Sequence, residues 1–156
     1  MKLPDPDFIE MPSRSLVALA REFDMQTRSS IPKLWEEFFK AQWRLPGEVE
    51  AASYGVSYAV DPSGRFTYAV GLHVEPTPAE LPPGACEVSL SAGSYAVFRC
   101  RGAASDIPAV FDAIFHTWLP GSGEKQRQGA VFERYPDEAE ATHENMAYEI
   151  WVPIAA

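Results

Sequence analysis

The chain carries one pattern twice, and that duplication restricts what it can fold into. Residues 29–42 place Ile31, Leu34, Trp35, Phe38 and Phe39 at offsets 0, 3, 4, 7 and 8, which is one face of a helix. Residues 105–118 repeat the design with Ile107, Val110, Phe111, Ile114, Phe115 and Trp118. Setting Ile31 on Ile107 also pairs Pro32 with Pro108, Leu34 with Val110, Trp35 with Phe111, Glu36 with Asp112 and Phe39 with Phe115. Each proline falls in the first turn, where its missing N–H costs nothing. Ser29 or Ser30 can cap the first helix and Ser105 or Asp106 the second. "LPGSG" at 119–123 is expected to end the second helix.

The repeat extends beyond the helices. An alternating strand precedes each: "SLVALAREF" (15–23) and "SYAVFRCRG" (94–102). Two strands follow each: "YGVSYAV" (54–60) with "FTYAVGLHV" (66–74), and "AVFERY" (130–135) with "MAYEIWVPI" (146–154). "DPSG" at 61–64 is a hairpin turn. The proline-rich "PTPAELPPG" (76–84) joins the halves, and "ACEVSLSAG" (85–93) is expected to lengthen the strand that enters the second half. The predicted fold is therefore α+β, a single domain over 1–156. Its half-repeats span about 11–75 and 84–154, each β-α-β-β. The two combine into an antiparallel sheet, with both helices on one face and a pseudo-two-fold axis. A groove on that axis, between the helices, is the natural ligand site.

Composition narrows the function. The chain has 156 residues, is 46% hydrophobic and 12% aromatic, and bears a net charge of −9. It can bury a core without staples, and its acidity argues against direct nucleic-acid binding. No apolar run reaches a spanning helix, and the first residues, "MKLPDPD", lack a signal-peptide core. No membrane role is expected, and the cytoplasm is the expected location. Cys86 and Cys100 form no metal spacing and read as two thiols in a reducing compartment. Neither a metal nor a cofactor is expected. His73 is expected on the solvent side, His116 off the apolar stripe, and His143 in the acid-rich loop "DEAEATHEN". There is no nucleophile elbow and no phosphate loop.

The strand "AVFERY" poses a question. Ala130, Phe132 and Arg134 share one face, and Val131, Glu133 and Tyr135 the other. Arg134 can sit in water. Glu133 lies beside Val131 and Tyr135, which favour burial, yet a lone glutamate on a short strand is more often solvent-exposed, so alternation alone leaves its side open.

"LPPG…GSYAVFRCRG", "YAVGLHV", and the ordered set "WLPGSG", "FERY" and "YEIWVPI" together resemble the GyrI-like small-molecule-binding domain family. That family also supplies the effector-binding half of AraC- and MerR-type transcription regulators. The resemblance runs from about Met11 to Ile154. It implies the duplicated fold, of the SHS2 type, with a central pocket for amphipathic, often cationic or aromatic compounds. The matching pocket carboxylate is Glu133. The matching aromatic wall is Tyr54, Tyr148, Trp35, Phe38, Phe111 and Phe115, with Tyr68 and Trp118 more marginal. Regulators of this type carry a helix-turn-helix segment, for which the chain has no spare length, so a stand-alone binder is expected. Two other outcomes stay open. One is hydrolysis of cyclopropane-type electrophilic toxins, with Glu133 as general base aided by Tyr54 or Tyr148. The other is a protein partner such as DNA gyrase, met through the acid-rich loop. The oligomeric state is left open.

Overall fold

The computed structural model describes residues 2–138 and 140–156. Its eight strands are β1 (Asp7–Met11), β2 (Arg14–Phe23), β3 (Glu48–Tyr58), β4 (Phe66–Val74), β5 (Cys86–Leu90), β6 (Gly93–Gly102), β7 (Val131–Pro136) and β8 (Met146–Pro153). They form one antiparallel sheet in the order β1-β6-β8-β7-β3-β4-β2-β5. Exchanging each strand for its repeat partner (β1 with β5, β2 with β6, β3 with β7, β4 with β8) returns the same order reversed. The pseudo-two-fold axis therefore passes between β3 and β7.

One cross-strand row fixes that axis to a residue pair. It runs Leu19, Val70, Gly55, Glu133, Ile150, Phe98 through successive strand partners. Leu19 corresponds to Phe98, Val70 to Ile150 and Gly55 to Glu133. The two central residues are thus each other's repeat equivalents and face each other across the axis.

The halves exchange their first strands. β1 belongs to the first repeat but pairs with β6, and β5 belongs to the second but pairs with β2. This corrects the expectation that 85–93 lengthens β6. The chain leaves the strand path at Ser91 and Ala92, so β5 and β6 are separate and β5 edges the other half. Alternation in a sequence shows that a segment is extended, not which strand it joins.

Helix α1 (Ile31–Ala41) buries Leu34 and Phe38 against β2 and β4, in a cluster with Phe23, Tyr68 and Val70. Helix α2 (Ile107–Ala113) continues through a π-helical turn, Ile114–Trp118, and a last α-helical turn, Leu119–Ser122. It buries Val110 and Ile114 against Phe98, Tyr148, Ile150 and Val152. The stop is Gly123, at φ 81°, the last residue of "LPGSG". A proline inside an α-helix clashes with the carbonyl four residues back. The wider π turn lies directly before Pro120 and loosens the register there. Pro32 and Pro108 occupy first turns as expected. Neither Ser30 nor Asp106 caps its helix with its side chain; a 3₁₀ turn leads into each helix instead.

The sheet face away from the helices is also buried. The sheet curls around a cluster that includes Met11, Leu16, Tyr54, Val56, Leu90, Tyr95, Phe132 and Trp151. Both faces of the central strands are therefore covered, which overturns two expectations. His73 is only 5% exposed. Arg134 is not in water but lies in an ion-pair network on the inner face. Both cysteines are free and half-buried.

Candidate functional site

Glu133 points from β7 to the helix side and is 4% exposed. Tyr68 Oη, from β4, donates to Glu133 Oε1 at 2.8 Å, and Tyr135 Oη donates to the same oxygen at 3.0 Å. Trp35 Nε1, from α1, donates in turn to Tyr68 Oη at 3.2 Å. The Trp35 ring stands edge-on to Tyr135, centroids 5.1 Å apart, and covers the group from above. Beyond Tyr135 lies Tyr148 of β8, at 6.4 Å between centroids.

Among the described residues, no cationic side chain pairs with Glu133. Burial pushes its carboxyl up to about 7, against the downward pull of the Tyr68 and Tyr135 hydroxyls. The same burial, with Glu133 close by, holds both phenols well above their ordinary value. The arrangement is a carboxyl that titrates near neutrality, with hydroxyl donors on one oxygen and aromatic rings around it.

The expected wall residues separate into groups. Tyr68, the marginal candidate, touches the carboxylate, Trp35 hydrogen-bonds to Tyr68, and Tyr148 stands one ring further out, behind Tyr135. Phe38 packs into the α1 core against Trp43, centroids 5.6 Å apart. Trp118 stands edge-on to Phe98 at 5.0 Å, inside the α2 core. Phe111 and Phe115 are half-buried on α2 and stack on each other. Phe39 is 61% exposed beside Trp35 and forms a rim rather than core.

Tyr54 is the clear correction. It precedes Gly55 on β3, so it faces away from Glu133. Its hydroxyl donates to Glu50 Oε2 at 2.6 Å and accepts from Arg14 at 2.8 Å. There it joins a second polar cluster on the inner face. Arg134 Nε donates to Glu50 Oε1 at 2.7 Å and its Nη1 to Glu149 at 3.2 Å. His73 places Nδ1 2.7 Å from Glu50 and Nε2 2.9 Å from Glu75. Burial of Glu50 would raise its carboxyl, but hydrogen bonds from Tyr54, His73 and Arg134 outweigh that and hold it at about 2. This cluster ties β2, β3, β4, β7 and β8 together and supplies its own cations, whereas Glu133 has no cationic partner among the described residues.

Sequence reasoning named Tyr135 as Glu133's neighbour but not as a site residue. The period-2 spacing within "FERY" already placed the two side by side. It missed Gly55, which carries no side chain to notice. The acid-rich loop at 137–144 includes Ala139, which lies outside the described residues; Glu138 within it pairs with Arg101.

Two surface hollows flank the helices on their outer sides and do not include Glu133. One, about 450 Å³, is lined by Leu19, Leu34, Trp43 and Pro83 among others. The other, about 370 Å³, is lined by Leu3, Arg99, Val110 and Tyr148 among others. No helix among the described residues is long and apolar enough to cross a membrane.

The curled antiparallel sheet with its helices is a fold shared with solved structures of other proteins. The chain belongs to the GyrI-like small molecule binding domain family, which it matches over residues 4–155. It is 30% identical to the transcriptional regulator BrlR of Pseudomonas aeruginosa over 148 residues, 94% of this chain and 54% of BrlR. It therefore spans about half the length of that regulator. Among solved structures it shares the fold of SAV2435 bound to tetraphenylphosphonium, with a TM-score of 0.78 at 17% identity, covering 98% of this chain and 95% of that one. It also shares the fold of a hydrolase from Listeria innocua, with a TM-score of 0.56 at 15% identity, covering 97% and 92%.

Proposed function

We propose that this chain binds amphipathic aromatic cations between its two helices, with Glu133 as the counter-charge. The observation that carries this reading is a buried carboxylate with two hydroxyl donors, no cationic partner among the described residues, and a cover of aromatic rings. A buried acid without a cation favours its neutral form. A ligand cation supplies the missing partner, and ring faces add about 0.5–2 kcal/mol per good contact. Because Trp35 and Tyr135 cover Glu133, entry requires these two rings to part, and an aromatic ring of the cation would then lie between them. A neighbour of the same fold holds tetraphenylphosphonium, a cation of this chemistry. The match to BrlR fits an effector-binding role, here carried by the binding domain.

The test is calorimetric titration with tetraphenylphosphonium and a neutral analogue of similar size. Wild type should bind the cation selectively, and Glu133→Gln should lose at least tenfold in affinity, the equivalent of about 1.4 kcal/mol. Equal binding of cation and neutral analogue, or an unchanged Glu133→Gln, would overturn the reading.

A second reading is hydrolysis of small electrophiles. Its support is the neutral titration range of Glu133, which suits a general base, and a structural neighbour that is a hydrolase. Turnover of a strained cyclopropane substrate, abolished in Glu133→Gln with little change in binding, would favour it over simple capture.

A further inference from the structure

Tyr68 reaches Glu133 only because one side chain is missing. Gly55 faces Glu133 directly across the β3–β7 ladder. A Cβ at Gly55 would stand 2.1 Å from Tyr68 Oη, 2.9 Å from Tyr68 Cζ and 3.1 Å from Glu133 Oε1. Contacts of the first two lengths cannot exist, and Tyr68 is too buried to swing aside freely. The backbone of Gly55 is not in the left-handed region, so its conformation does not call for glycine. What the position requires is space, and the space is filled by the hydroxyl that holds the acid.

We propose that Gly55 is a positioning residue for ligand selection: by leaving the axis open it seats the Tyr68 hydroxyl on Glu133 Oε1, and so sets the pH above which the site accepts a cation. The inference rests on Glu133 being the counter-charge. The groups facing that carboxylate are few. From β4 there is Tyr68, from its own strand Tyr135, and from α1 the neutral Trp35. From β3 there is Gly55 and from β8 Ile150, with Tyr148 behind Tyr135. With so few donors, losing one changes how readily the acid ionises. An added methyl at position 55 displaces one of the two.

The experiment measures tetraphenylphosphonium affinity from pH 5 to 9 for wild type, Gly55→Ala, Tyr68→Phe, the double variant and Glu133→Gln. Wild-type affinity should fall as pH drops through about 7. Gly55→Ala and Tyr68→Phe should each move that midpoint upward, by about one pH unit. The double variant should shift no further than Tyr68→Phe alone, because the displaced hydroxyl is already gone. A folded Gly55→Ala with the wild-type midpoint, or shifts that add in the double variant, would overturn the proposal. If Gly55→Ala fails to fold, recovery of folding in Gly55→Ala/Tyr68→Leu, which removes both Oη and Cζ, supports a clash with Tyr68, and no recovery overturns it. Glu133→Gln reports separately. If it binds like wild type at every pH, the counter-charge reading itself fails. If it loses binding while Gly55→Ala behaves as wild type, only the role of Gly55 fails.

Discussion

At the scale of single residues, Glu133 should cost the fold stability in return for a binding site. Its carboxyl titrates near 7 when folded and near 4.5 when unfolded. The folded state thus holds its proton more tightly, so this group's contribution is complete below about pH 4.5 and is lost as pH rises through about 7. Glu133→Gln should then exceed wild type in stability at pH 8 by roughly 2–3 kcal/mol and match it at pH 4.5. Thermal melts at both pH values check this; a variant less stable than wild type at pH 8 would contradict it. His73 should behave in the opposite sense. Removing it with His73→Ala leaves Glu50 and Glu75 each short of a contact in a largely buried cluster, with an expected cost of about 1–3 kcal/mol in denaturant melts.

Glu133 was legible in the sequence through the resemblance of "FERY" to the family pattern, with Val131 and Tyr135 on its face in support; alternation alone left its side open. Tyr54 and His73 were not placed correctly, for a reason beyond any one residue. Alternation assigns a residue to one of two faces, and only the curl of the whole sheet decides whether the second face meets water.

At the scale of elements, the helices and their proline starts were readable from spacing, because a 3.6-residue period is a local property. The exchanged strands were not. β1 lies in a short stretch with two prolines before it, and β5 follows a proline-rich connector; nothing in either names a partner. Yet β1 brings Met11, 3% exposed, into the inner core of the sheet. Met11→Ala should therefore cost about 2–5 kcal/mol despite its place near the terminus. Chemical denaturation would show it, and a loss below 0.5 kcal/mol would mean that β1 detaches readily. The π-helical turn is a local backbone adjustment directly before Pro120, invisible to an apolar-stripe count that is satisfied by either helix type.

At the scale of the molecule, neither half is complete. Each lends its first strand to the other, and β3 pairs with β7 through the middle of the sheet. Two fragments, 1–78 and 79–156, should therefore associate when produced together and fail to give a cooperative melt when apart. Size-exclusion chromatography and circular dichroism of the mixture and of each fragment test this; a separately folded fragment would contradict it.

The row through Gly55 and Glu133 carries one more consequence. A homodimer built from identical half-chains must place the same residue at both axial positions. Two glutamates there would repel one another and tend to share a proton. Two glycines would leave no acid at all. Only halves of different sequence, joined here in one chain, let one carry the charge while the other gives up its side chain to accommodate it. The site is a product of broken symmetry, and a designer wishing to restore self-assembly from one half would lose it.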